Sequence, residues 1–231
     1  MPNWCEIEIT MEGDSDVLAM MNNIMQSGAD DPTDGKGQPM SLFPMPEVLR
    51  GTRSPAPSGD YDADGRFTKL VADPTLEHWT PERYEADKAE HYALIERAEL
   101  AKAETGYSDW YSWTDAEWGT KWSVDVFSYK HSDDSISVTG QTAWSPPFPL
   151  LQKISEKFGV KISMTYCEPS MDFIGASAII EGEIFDSCGS FSEHLPEDFD
   201  FDSDDAWEIE SDIRERIRSA HENHAWDLAT A

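Results

Sequence analysis

Two alternating runs joined by a short polar turn constrain the fold of this chain more than any other feature. From Trp122 to Tyr129, Trp122, Val124, Val126 and Ser128 fall on one side, with Asp125 and Phe127 on the other. The turn HSDDS (131–135) follows, and Ile136 to Trp144 alternates again. A side-chain period of two marks a half-buried strand, and two such strands about a short polar turn make a hairpin. Tryptophans crowd this hairpin: Trp110, Trp113, Trp118, Trp122 and Trp144 place five of the chain's nine within 35 residues. Indoles bury large areas and dominate cores, so a tightly packed corner is the preferred reading over a displayed aromatic surface.

Similar patterning places the other elements. Cys5, Ile7 and Ile9 alternate with Glu6 and Glu8 in a strand over 3–10. Val17, Leu18, Met21, Ile24 and Met25 recur at helical spacing over 15–27. After the hairpin, Leu150, Leu151, Ile154 and Phe158 form one face of a helix over 148–158, opened by prolines and closed by Gly159. Val160 to Cys167 is a further strand. The order is β-α-β-β-α-β, which predicts an α+β, ferredoxin-like split β-α-β sheet with both helices on one face.

The remainder reads as additions to that sheet. Residues 41–48, SLFPMPEV, are limited by Pro44 and Pro46 to an edge strand or an ordered loop. Thr80 caps a helix with Pro81 at its first position and Gly106 at its end. That helix belongs to a helical insertion of about 50–108, laid against the domain and not a second core. Phe173–Ile180 and Glu183–Phe185 form an extra hairpin. Ala206, Ile209, Ile213, Ile217 and Ala220 carry a last amphipathic helix. The expected organisation is a domain over 1–185 and an acidic C-terminal extension over 186–231.

Charge narrows function. The chain has 46 acidic and 17 basic residues, a net charge of −29. From 161 onward 18 acids face 4 bases, about half of that total. Binding nucleic-acid backbone needs Lys and Arg clusters, so direct nucleic-acid binding is not expected, and charge selects basic surfaces or cations instead. The N-terminus lacks the pattern of a signal peptide and no apolar run suffices to span a membrane. Cys5, Cys167 and Cys188, without CxxC spacing, point to a reducing cytosol and structural burial. A soluble protein of the host-cell cytoplasm is expected, without membrane partner or cofactor; its oligomeric state is open.

Candidate chemistry is sparse. Asp60, Asp62, Asp64 and Gly65 begin like a calcium loop, but position 12 is Val71 where a bidentate glutamate is needed, so a solvated turn is preferred. His221 and His224 share a helical face without an evident third ligand. No GxSxG, HExxH, P-loop or GxGxxG occurs, and no catalytic residue or metal site is assigned. The segment Asp198, Phe199, Asp200, Phe201, Asp202, Ser203, Asp204, Asp205 would, if extended, set aspartates ~6.6 Å apart on one face, like a phosphate backbone.

PNWC at 2–5, PMP at 44–46, WGTKW at 118–122 and TAWSPP at 142–147 together resemble the YubB-type ferredoxin-like family of phage and conjugative-plasmid accessory proteins. The resemblance covers about 2–48 and 107–185, and implies a mobile-element accessory protein without an established enzymatic activity. Within these motifs Trp118, Gly119, Thr120, Lys121, Trp122, Trp144, Ser145 and Pro146 form either a site or a packed corner, with Lys121 placed for a cation–π contact. Function is therefore expected to be non-enzymatic: an anti-CRISPR-like inhibitor that occupies a basic groove of a nucleic-acid-binding host defence complex by nucleic-acid mimicry. Asp198, Asp200, Asp202, Asp204 and Asp205 would meet the partner. The alternatives are a small-ligand or nucleotide-binding protein, conceivably an enzyme, with a cleft at Trp118, Lys121, Trp122 and Trp144, and a structural accessory protein.

Overall fold

A computed structural model describes residues 3–27, 37–196, 199, 203 and 206–230. In chain order the elements are β1 (Trp4–Glu12), α1 (Ser15–Ser27), α2 (Arg66–Val71), α3 (Pro81–Thr105), α4 (Trp110–Glu117), β2 (Asp125–His131), β3 (Ser135–Ala143), α5 (Phe148–Phe158), β4 (Lys161–Glu168), β5 (Phe173–Ile180), β6 (Glu183–Gly189) and α6 (Ala206–Thr230). The six strands form one antiparallel sheet in the order β2-β3-β1-β4-β5-β6. The first four are the split β-α-β-β-α-β unit, and the β5–β6 hairpin extends it beyond β4. This is a ferredoxin-like domain.

Alternation in β1 decides which sheet face is the core. Cys5, Ile7, Ile9 and Met11 are buried, and their cross-strand neighbours continue the same face. Ile9 lies between Val138 and Met164, and Met11 between Ile136 and Ile162. Leu18, Met21 and Met25 of α1 and Leu150, Leu151 and Ile154 of α5 are buried as well. Polar contacts fix both helices to this face. Tyr129, opposite Val138, donates its hydroxyl to Asn22 Oδ1 at 2.7 Å, and Ser155 of α5 donates to the carbonyls of Val160 and Ile179. Both helices thus share one face, as the patterning predicts. Each such buried side chain contributes about 1.5–3 kcal/mol.

The opposite face is divided. Over β4–β6 it is covered by α6, whose Ile213 and Ile217 join Cys167, Ile174 and Phe191 in a second buried cluster. Arg214 Nη1 reaches Glu6 Oε2 at 2.9 Å, and His221 Nδ1 lies 2.6 Å from the Ser187 hydroxyl. The boundary expected between 185 and 186 thus falls inside β6, and the extension supplies a layer of the domain. Over β2, β3 and β1 the same face is polar, with Glu8, Ser128 and Lys130 exposed and Thr10, Ser137, Thr139 and Gln141 half-buried.

The structure refines the reading at three places. β2 begins at Asp125 instead of Trp122, and a bulge between Val126 and Ser128 breaks its alternation and leaves Phe127 61% exposed. Residues 41–48 take the ordered-loop alternative: Pro39–Leu42 and Glu47–Leu49 are 3-10 turns, and the prolines have no N–H for a ladder. Helix α4 was not legible, since WYSWTDAE lacks a clean apolar stripe. Its start carries a cap nonetheless, with Asp109 Oδ1 accepting from Ser112 N at 3.0 Å.

Residues Met45–Thr114 form a compact unit of their own, within which the expected insertion falls. Its long helix α3 begins and ends where expected. Thr80 Oγ1 accepts from Arg83 N at 3.2 Å, and Gly106 closes it at φ 86°. Aromatic contacts hold the unit: Tyr61 stacks on Phe67 at 4.3 Å and meets Tyr84 and His91 edge-on.

Candidate functional site

The WGTKW and TAWSPP motifs meet at one end of the sheet, and their residues divide by role. Trp118 is 7% exposed and donates its indole N–H to the Phe43 carbonyl at 2.9 Å. Ser145 Oγ donates to the Gly119 carbonyl at 2.7 Å, Thr120 Oγ1 to the Ala143 carbonyl at 3.1 Å, and Thr142 Oγ1 to the Ser145 carbonyl at 2.8 Å. Gly119 sits at φ 80°, and a Cβ there would collide with Pro149 Cδ. These residues are a hydrogen-bonded corner that joins the start of the hairpin to its end. The packed-corner reading describes them well.

Pro146 and Pro147 are buried too, and two tryptophans of the motifs face outward. Trp122 and Trp144 are 38% and 39% exposed, and Trp4 of β1 joins them at 37%. Ring centroids are 6.1 Å apart for Trp4 and Trp122 and 6.5 Å for Trp122 and Trp144, with tilts of 38° and 31°. Lys121 Nζ lies 4.6 Å from the Trp122 ring and 5.1 Å from that of Trp144. The cation–π contact expected for Lys121 therefore forms, with two partners, and each is worth about 0.5–1 kcal/mol at an exposed site. Of the four cleft residues predicted, Lys121, Trp122 and Trp144 come together at the surface while Trp118 turns inward.

Trp4 was not assigned to any site. Its signal lay in the strand period: it shares the polar register of Glu6 and Glu8, where a core tryptophan has no place. The register also puts a row of polar groups one step from it. Asp125, Gln141 and Glu6 lie side by side across β2, β3 and β1, and Gln141 Nε2 donates to Asp125 Oδ2 at 2.9 Å. Trp4 stands two residues from Glu6 on the same face, ~6.6 Å along the strand.

Other candidates fare differently. Asp198, Asp200, Asp202, Asp204 and Asp205 lie outside the described residues. In the calcium-like loop Asp62 spends both carboxylate oxygens on the start of α2: Oδ1 accepts from Phe67 N at 2.8 Å, and Oδ2 from the amide and hydroxyl of Thr68. Those bonds hold its carboxyl below the usual range, the Thr68 hydroxyl first. Asp60 accepts from the Tyr92 hydroxyl at 2.7 Å. Among the described residues no three His, Cys, Asp or Glu side chains converge on a metal position. Burial, then His194, lower the His221 pKa; Asp186 opposes them and His224 adds to the lowering.

The cysteines separate. Cys5 and Cys167 are buried, and burial beside Cys167 pushes the Cys5 thiol up to about 12. Cys188 is exposed, contrary to the burial expected of all three. It lies on edge strand β6 opposite Gly175, which has no side chain to cover it.

Among the described residues no helix is long and apolar enough to cross a membrane. No curated protein matches the chain. A crystal structure of the protein Api92 from Yersinia pseudotuberculosis is similar over 82% of this chain and 98% of that one, at 12% identity and a TM-score of 0.40. Residues 117–214, from the end of α4 into α6, match the family model of the ferredoxin-like domain in Api92-like proteins.

Proposed function

We propose that this chain is a non-enzymatic inhibitor that sets an acidic surface into a Lys/Arg-lined, nucleic-acid-binding groove of another protein. The observation that carries the reading is the polar, partly exposed half of the sheet face in a chain of net charge −29. This half of the face carries the exposed carboxylates of Glu8 and Asp125 against Lys130, while Glu6 beside them is paired with Arg214. Asp198, Asp200, Asp202, Asp204 and Asp205 extend the negative surface in sequence. The YubB-type motifs suggest a phage or plasmid setting, so a host defence complex, such as a CRISPR effector, is the partner of choice. Charge complementarity of this kind speeds association and weakens it with salt.

Affinity capture from host lysate at ~0.1 M salt tests the proposal. A nucleic-acid-binding protein should be retained, released at ~1 M salt, and displaced by added duplex DNA or RNA. Replacing Asp198, Asp200, Asp202, Asp204 and Asp205 by asparagine should lower retention at least ~10-fold, a loss of about 1.4 kcal/mol. Retention indifferent to salt and to nucleic acid would overturn the reading.

A further inference from the structure

We propose that Trp4, Trp122 and Trp144, with Asp125 beside them, form a receptor for a cationic side chain of the partner, an arginine or lysine, and that Lys121 holds the place until it arrives. This deepens the proposed function and rests on it for the identity of the partner as a basic protein. The chemistry is that of an aromatic cage. Indole faces attract a cation through the ring quadrupole, and arginine can stack on them as well. Lys121 already demonstrates the affinity from within, with its ammonium over two of the three rings.

Two further observations point the same way. Trp144 is held at φ 71°, a left-handed conformation that a bulky side chain rarely adopts. Its N–H donates to the Asn3 carbonyl at 2.9 Å, which fixes it there beside β1. Stability alone would favour glycine or asparagine at such a position, so a half-exposed indole there is strain retained for use. The charges are also complementary. Glu6 and Asp125 flank Gln141 in the row next to Trp4; Glu6 is paired with Arg214, and Asp125 is exposed. A guanidinium stacked on the indoles would find the Asp125 carboxylate on the adjacent sheet surface, and guanidinium pairs with carboxylate in a planar, bidentate way.

Lys121 distinguishes this receptor from an anion or nucleotide site. If the occupant were a phosphate-bearing ligand stacked on the indoles, Lys121 would be its counter-charge and removing it would weaken binding. For an incoming cation Lys121 is a competitor, and removing it strengthens binding. The experiment titrates the intact chain with a short glycine–arginine peptide, and separately with adenosine monophosphate, following tryptophan fluorescence. The peptide should change the emission; Trp122→Ala should weaken it about tenfold and Lys121→Gln should tighten it several-fold. Trp144→Gly relieves the backbone at that position and should also weaken binding, so loss of affinity is separable from loss of fold, checked by circular dichroism. Weaker peptide binding in Lys121→Gln, a nucleotide response in place of a peptide response, or no response to either overturns the receptor. If salt-sensitive capture of a basic protein persists while the peptide leaves fluorescence unchanged, this inference fails and the proposed function stands.

Discussion

Gly119 and Trp144 both adopt left-handed backbone, at φ 80° and φ 71°, yet only glycine does so without strain. Gly119 is placed by packing: its missing Cβ lets Pro149 close onto the corner while Ser145 bonds its carbonyl. Gly119→Ala is therefore expected to cost about 2–4 kcal/mol, from the sum of backbone strain and overpacking, measured as a shift in the denaturant midpoint at unchanged slope. The cysteines make a second prediction at this scale. A maleimide applied to the native chain near neutral pH should modify Cys188 and leave Cys5 and Cys167 until denaturant is added. Reactivity follows thiolate fraction and access, and Cys5, with its pKa near 12, has neither. Rapid modification of Cys5 in the native chain would contradict its placement in the core.

Among the described residues helix α6 is held by an apolar cluster and by polar contacts that include His221, which titrates. His221 is set against Ser187, with Asp186, His194, His224 and Gly189 around it. Its folded pKa lies below the ordinary 6.5, so below that value the unfolded or undocked chain binds the proton more readily. The docking contribution is intact above ~6.5 and falls as pH drops through the folded value. Corrected for the intrinsic slowing of exchange as pH falls, hydrogen exchange of the α6 amides should accelerate from pH ~7.5 to ~5.5 more than that of α5, and His221→Gln should remove the difference. Equal acceleration in both helices would reject this account. The α5 face, by contrast, carries Ser155 and apolar residues at its contact with β5, which do not titrate in that window.

At the scale of the whole molecule, a net charge of −29 opposes compaction through self-repulsion. Salt screens that repulsion beyond about 8–10 Å at physiological strength. The melting temperature should accordingly rise between ~0.02 M and ~0.5 M sodium chloride, while partner binding weakens over the same range. A melting temperature that falls with salt would show that attractive ion pairs, such as Arg214 with Glu6, dominate instead. The ferredoxin-like architecture itself was legible without coordinates. Alternation in β1, β3 and β4 and the stripes of α1 and α5 depend on one face each, and local period reports burial wherever one face meets the core. Thr80, Pro81 and Gly106 mark the ends of α3 through capping chemistry, which is equally local. What the tertiary structure decided was how motif residues of one sequence stretch divide between inside and outside. Trp118 and Trp122 stand four residues apart in one motif, yet one donates its indole N–H inside the corner and the other is displayed. Trp4 and Trp144 meet Trp122 only because β1 and β3 pair in a register that sets Trp4 opposite Ala143. Burial is a property of pairing across the sheet, and no window along the chain contains both partners.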